Sequence, residues 1–305
     1  MAFHGYIATE IATDCADGFI TRREALRRLA LLGLTATAAS TLLAACSGGG
    51  SKSTTATTTA TTAPPVSRPA AEMITVNGPN GKLKAAWAAA TAAQPPGGPG
   101  VSPDIKGAVL IIHENSGLTP HFAILPARLA ADGYSALCVD LLSEEGGTES
   151  LGDPAKAQAA LAAAPRDRLV ADLRAGIDEL GRRTPGAKLG AMGFCFGGGL
   201  TWALLGAGED RLAAAVPFYG PLPADPDFSK AKAAVLAIYA GNDTRVTPSQ
   251  PAAVSALEKA GLTHETRVFP GVDHAFFNDT GPRYNAAAAG EAYRLVLDWF
   301  ARYLK

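Results

Sequence analysis

The chain has 305 residues, of which 48% are apolar and 18% charged, with 27 Lys and Arg against 28 Asp and Glu. The length fits one large domain or two small ones, and the apolar share is enough for a full core. The near-neutral balance provides no electrostatic footprint for nucleic acid or a strongly charged partner, and the apolar share is carried by alanine rather than by membrane-spanning runs.

The four cysteines, Cys15, Cys46, Cys138 and Cys195, show no CxxC spacing. Neither a zinc site nor a dithiol redox site is therefore expected, and nothing calls for a metal or a cofactor.

At the amino end, Thr21-Arg22-Arg23-Glu24-Ala25-Leu26-Arg27-Arg28 is a basic cluster, followed by an uncharged run of 17 residues, Leu29 to Ala45. The run is short for a membrane span, which needs roughly 20 apolar residues, and suits the core of an export signal. Leu43-Ala44-Ala45-Cys46 resembles a bacterial lipobox, in which the cysteine is lipidated, and the paired arginines resemble a twin-arginine signal with Ala25 where Phe is usual. The alternative is an amino-terminal helix packed on the domain. From Ser47 to Pro69 the chain is mostly Ser, Thr, Ala, Gly and Pro, a composition that cannot bury enough surface to offset its ordering entropy. The expected organisation is an export signal over 1–46, a tether over 47–71 and a folded domain over 72–305. The expected location is the outer face of the cytoplasmic membrane, held by a lipid on Cys46.

From Met73 the pattern is regular. Met73–Val76 and Leu83–Ala89 flank the turn signal Asn77-Gly78-Pro79-Asn80-Gly81 and predict a hairpin. The apolar run Gly107–His113 predicts a strand buried on both faces. Helix is predicted over His121–Asp132, strand over Ser135–Val139, helix through Arg183, strand over Lys188–Phe194 and helix over Gly197–Leu205. Strands at Ala213–Tyr219, Ala233–Tyr239 and Glu265–Phe269 alternate with helices at Pro248–Ala260 and Tyr284–Leu304. Such alternation predicts an α/β fold, a doubly wound, mostly parallel sheet with helices on both faces.

Ligands of open parallel sheets lie at the carboxyl ends of the strands. That rule selects Glu114, Cys195, Asp243 and His274. Gly193-Phe194-Cys195-Phe196-Gly197-Gly198 has the G-x-S-x-G form of the α/β-hydrolase nucleophile elbow, with cysteine as the nucleophile. The elbow is a strained strand-to-helix turn, and the start of the following helix favours a thiolate and an oxyanion. Cys138, inside a strand without flanking glycine, reads as core. Asp243 follows a later strand as the acid. His274 follows the last strand and is found by elimination: His4 precedes the domain, His113 and His121 precede the nucleophile, and His264 begins a strand. The backbone N–H groups of Phe196 and Asn115 are the expected oxyanion donors.

With Gly193–Gly198, the segments His113-Glu114-Asn115-Ser116-Gly117 and His274-Ala275-Phe276-Phe277-Asn278 resemble dienelactone hydrolase (carboxymethylenebutenolidase) across roughly residues 73–304. The resemblance implies that Glu114 contacts the resting thiol of Cys195 and gates its ionisation. It also implies arginines that bind a substrate carboxylate, one of them four residues after the catalytic histidine, where this chain has Asn278. Arg283, Phe277 and Asn278 are the candidate substrate contacts. The expected function is hydrolysis of small esters or lactones. A broader acyl esterase or thioesterase and a catalytically silent ligand-binding lipoprotein of the envelope are the alternatives.

Overall fold

The structure, a computed structural model, describes residues 3–46, 71–90 and 105–305. The expected tether, 47–71, lies almost wholly outside these residues.

The hairpin forms as β1 (Glu72–Asn77) and β2 (Lys82–Ala88), paired antiparallel. Fully buried runs then build β3 (Gly107–Ile112), β4 (Tyr134–Val139) and β5 (Leu189–Phe194), with β6 (Leu212–Phe218) nearly so and β7 (Ala234–Ala240) fully buried. Continuous apolarity reflects helices on both faces. β8 (His264–Phe269) alternates between half-buried and exposed positions, as an edge strand does. The sheet order is β1-β2-β4-β3-β5-β6-β7-β8, parallel from β4 to β8. β2 pairs antiparallel with β4 as well as with β1.

The amino-terminal helices are α1 (Phe3–Ala16), α2 (Arg22–Leu31) and α3 (Ala36–Cys46). Within the domain come α4 (Pro120–Ala131), α5 (Thr148–Leu151), α6 (Pro154–Ala163), α7 (Arg166–Arg183), α8 (Phe196–Gly206), α9 (Gln250–Lys259) and α10 (Ala286–Tyr303). α4 and α10 cover one face, joined by the Tyr293 hydroxyl donating to Asp132 at 2.7 Å. α7 and α8 cover the other, α7 reaching β3 and β4 and α8 reaching β5 and β6. Under α4 the stacked rings of Phe194 and Phe218, 4.6 Å apart, meet Phe122 and Phe277.

β3 connects away from β5, so the loops after β3 and β5 diverge at the point where strand order reverses. That point is where open α/β sheets bind ligands. It places Glu114 and Cys195 side by side.

The segment expected to be an export address is folded onto the domain. α1 packs on α2, α3 and α6. Tyr6, Ile7, Ile11, Ala25 and Leu29 all join the core. Arg27 of α2 pairs with Asp153 at 2.9 Å, and Arg28 donates to Gln158 at 3.4 Å. These described residues form helices packed on the domain, and Cys46 ends α3. No helix among the described residues is long and apolar enough to cross a membrane.

The helix after the elbow comes very close to neighbouring backbone. A Cβ on Gly197 would lie 2.3 Å from the Ile112 carbonyl oxygen, and one on Gly198 would lie 2.4 Å from that of Phe218. Backbone cannot yield as a side-chain tip can. Gly198→Ala should therefore cost about 2–3 kcal/mol by urea unfolding, within the range for overpacked sites; an unchanged midpoint would contradict this packing.

Candidate active site

Cys195 closes β5 and caps α8 with φ 55° and ψ −116°, a conformation costly for a residue with a Cβ. Among the described residues three non-glycines have positive φ: Cys195, Tyr219 and Ala275. Tyr219 ends β6 and Ala275 follows His274, so all three strained positions border one site.

The sequence-predicted acid and base come together. His274 Nδ1 lies 2.5 Å from Asp243 Oδ2, while Asp243 Oδ1 accepts the backbone N–H groups of Arg245 and Val246 at 3.1 and 3.2 Å. Burial raises the Asp243 carboxyl, but the His274 ring and Arg245 outweigh it and hold the group at about 2. Asp273, next to His274 in sequence, accepts instead from Asn242 at 2.9 Å. Nδ1 is thus committed to Asp243, which leaves Nε2 facing the thiol. The other domain histidines are occupied elsewhere: His113 Nε2 accepts from Leu141 N, His121 meets Asp279, and His264 meets the Leu262 carbonyl.

Cys195 is 1% exposed and His274 4%. What covers them was not foreseen from the sequence. The Tyr6 hydroxyl lies 3.3 Å from Cys195 Sγ and 3.2 Å from His274 Nε2. The thiol faces both Glu10 oxygens at 3.4 and 3.3 Å, and Glu10 Oε1 is 3.7 Å from His274 Nε2. Among the described residues, Tyr6 bridges the nucleophile and the histidine, with no direct hydrogen bond between them.

Glu114 differs from what the resemblance implied. It accepts from Asn278 Nδ2 at 2.9 Å and from the Tyr219 hydroxyl at 3.5 Å rather than from the thiol. The short amide of Asn278 and the ring of Tyr219 hold Glu114 to one side, and Glu10 takes the contact with sulfur. Burial, then Glu10 and Glu114, push the Cys195 thiol well above its ordinary range, with smaller opposition from Tyr6 and the Phe196 N–H. These surroundings hold Cys195 as a thiol rather than a thiolate.

The Phe196 N–H lies against the sulfur of Cys195, and Asn115 is buried in the loop after β3 with its Nδ2 unpartnered. Phe277 is 1% exposed, packed on Phe194 and Phe218, and belongs to the core rather than to a substrate surface. Arg283 pairs with Asp14 at 2.8 Å and Asp17 at 2.6 Å, so α1 occupies it. Arg245, two residues after the acid, has its guanidinium 5.7 Å from the Tyr6 ring centre, and its two terminal nitrogens have no protein partner.

Ligand atoms of Glu10, Cys195 and His274 lie within 4.8 Å of one another, close enough for a soft divalent ion. The Tyr6 hydroxyl stands between sulfur and Nε2, and the Arg245 cation lies beside them. Those neighbours suit a hydrogen-bonded cluster better than a dication.

The dienelactone hydrolase family model matches residues 97–304. This chain belongs to the dienelactone hydrolase family. Curated relatives named "Putative carboxymethylenebutenolidase" include one from Salmonella typhi, 32% identical over 208 residues, covering 64% of this chain and 77% of the relative. Another, from Escherichia coli K12, is 31% identical over 209 residues, covering 64% and 76%. A solved structure from Klebsiella pneumoniae, titled "Putative Dienelactone Hydrolase", has a TM-score of 0.64 at 26% identity, covering 76% of this chain and 98% of its own. One from Anabaena variabilis, at 21% identity and TM-score 0.58 over 78% of this chain and 100% of its own, shares the fold. This family member is a hydrolase of the ester- and lactone-directed class, built on the α/β-hydrolase fold.

Burial, and then Glu10, push the Glu114 carboxyl up to about 7, against the hydrogen bonds from Asn278 and Tyr219. Below its ordinary 4.5, folded and unfolded chains both hold this proton. Between 4.5 and about 7 the folded chain keeps a proton that the unfolded chain releases, so stability falls as pH rises through that window. Glu114→Gln should lose less stability than the parent between pH 4.5 and 7.5 in urea titrations; equal losses would refute the assignment.

Proposed function

We propose that the chain hydrolyses small esters or lactones through Cys195, His274 and Asp243. The observation that carries this reading is the 2.5 Å contact between His274 Nδ1 and Asp243 Oδ2, which presents Nε2 toward a thiol at the first turn of α8. Asp243 fixes the tautomer and stabilises the imidazolium. His274 takes the thiol proton, and sulfur attacks the acyl carbon. The tetrahedral intermediate collapses to a thioester, and the C–O bond breaks as the leaving oxygen takes the proton from His274. Water, deprotonated by His274, attacks the thioester; the acid leaves and the thiol is restored. Phe196 N–H, with a second N–H from the loop at Asn115, holds the oxyanion in both halves. A neutral resting thiol protects the nucleophile until a substrate displaces the charges beside it.

A broader acyl esterase or thioesterase would use the same groups. The convergence of acid, base and thiol supports turnover over a silent binding protein. A panel of chromogenic short-acyl esters and lactones on the full chain tests the reading. Cys195→Ala and His274→Ala should each lower kcat/KM by about 10³-fold or more, and Asp243→Asn somewhat less. Undiminished hydrolysis in Cys195→Ala would sink the mechanism.

Attachment to the outer face of the membrane through Cys46 is a separate proposal, supported by Arg22-Arg23 and Leu43-Ala44-Ala45-Cys46. Mass spectrometry of membrane fractions should find a lipidated chain beginning at Cys46. An unmodified chain still carrying Arg22-Arg23 would refute it.

A further inference from the structure

The face of α1 toward the catalytic centre carries Phe3, Tyr6, Glu10 and Asp14, spaced at the three- and four-residue intervals of one helical ridge. Each has a partner in the site. The Phe3 ring lies 4.8 Å from that of Phe196, the residue after the nucleophile. Tyr6 touches sulfur and the histidine, and Glu10 touches sulfur with both oxygens. Asp14, with Asp17 beyond it, holds Arg283, which in turn lies over the Phe19 ring at 4.4 Å. The other side of α1 is anchored by α2 and α3, with His4 Nε2 on the Leu32 carbonyl at 2.7 Å.

An acyl carbon must come within about 3–3.5 Å of Sγ for attack. The positions at that distance are held by the Tyr6 hydroxyl and the Glu10 carboxylate, at 3.3 and 3.3–3.4 Å. An ester and this helix cannot both be seated. Glu10 is also a carboxylate held against the nucleophile and within 3.7 Å of the base, as the acid released by hydrolysis would be.

We propose that α1 is a built-in occupant of the acyl-binding site, seated by Tyr6 and Glu10 and clasped by Asp14 and Asp17 on Arg283, so that the enzyme is latent until α1 moves. The inference rests on the reading of Cys195 as nucleophile for its meaning, though not for its test. The segment that occupies the site is also the one that the export reading removes before Cys46, so such processing would leave an open site.

The test uses the full chain and two sets of substitutions. Tyr6→Ala with Glu10→Ala cuts back the groups over the thiol. Asp14→Asn with Asp17→Asn loosens only the outer clasp, at half-buried and exposed positions where folding is little affected. Iodoacetamide alkylation, followed peptide by peptide, reports access to Cys195 without any need for turnover. The first pair should speed Cys195 alkylation about tenfold or more and the second several-fold, while Cys138 stays at the parental rate. KM for short esters should fall in both. Parental alkylation rates in both pairs would overturn the proposal. So would faster alkylation with a raised KM or lost kcat in the Tyr6/Glu10 variant, because Tyr6 and Glu10 would then be working parts of the reaction. Hydrolysis absent in every form, with alkylation responding as expected, would count against the hydrolase reading and leave the occupancy of the site by α1 standing.

Discussion

Everything at the catalytic centre depends on how closely α8 can approach the sheet. Gly197 and Gly198 bring its first turn against the backbone at the ends of β3 and β6, at distances no side chain would permit. That approach forces Cys195 into a positive-φ conformation and lifts its sulfur clear of the strand, into the start of a helix. The aromatic layer of Phe194, Phe218 and Phe277 under β5 and β6 holds the strands that bear this strain. Two further strained residues, Tyr219 and Ala275, sit where other loops turn into the same space. Strain gathered at one place and balanced by a well-packed sheet is the common signature of a preorganised site.

Much of this was legible in the sequence because it follows from local rules. Buried runs of strand length, glycines around a cysteine, and polar residues just past apolar strands gave the sheet, the elbow, Asp243 and His274. Strand limits agree to within about two residues because turns and caps set them locally. Tyr6 and Glu10 were not legible. They lie 189 and 185 residues before Cys195, on a helix with no motif of its own, and only tertiary packing reveals where that helix sits. Its buried residues, Tyr6, Ile7, Ala8, Glu10, Ile11 and Ala12, lie around more than one side of the helix, which weakens the amphipathic pattern that would have marked a docked helix. Tyr219 could have been found, since it follows β6 at the same sheet edge that selected the other four residues. Arg245 could have been noticed from its place two residues after the acid. The role expected of Glu114 changed for a local reason: Asn278 and Tyr219 supply it with hydrogen bonds, and Glu10 has taken its place at sulfur.

The electrostatics follow from that exchange. Two carboxyl groups lie near one buried thiol, and both disfavour the thiolate. The shortest hydrogen bond of the centre, between Asp243 and His274, orients the imidazole and does not touch the thiol. On the proposed reading, the imidazole is already oriented in the resting site while the thiol is held back. A site arranged in this way gains reactivity when the surrounding charges are displaced, not by a permanent fall in the thiol's pKa.

Because α1 belongs to the same chain as the thiol it covers, its hold on the site is a first-order property. Dilution does not loosen it, and adding more protein does not tighten it. A free molecule of equal intrinsic affinity has to reach the effective concentration set by covalent connection, on the order of millimolar for short tethers, before it displaces half of the helix. Weak contacts at Tyr6, Glu10 and Arg283 are for that reason enough to keep the centre filled. A single break in the chain between α3 and β1 would turn a local concentration into an ordinary one, without altering any residue of the catalytic domain.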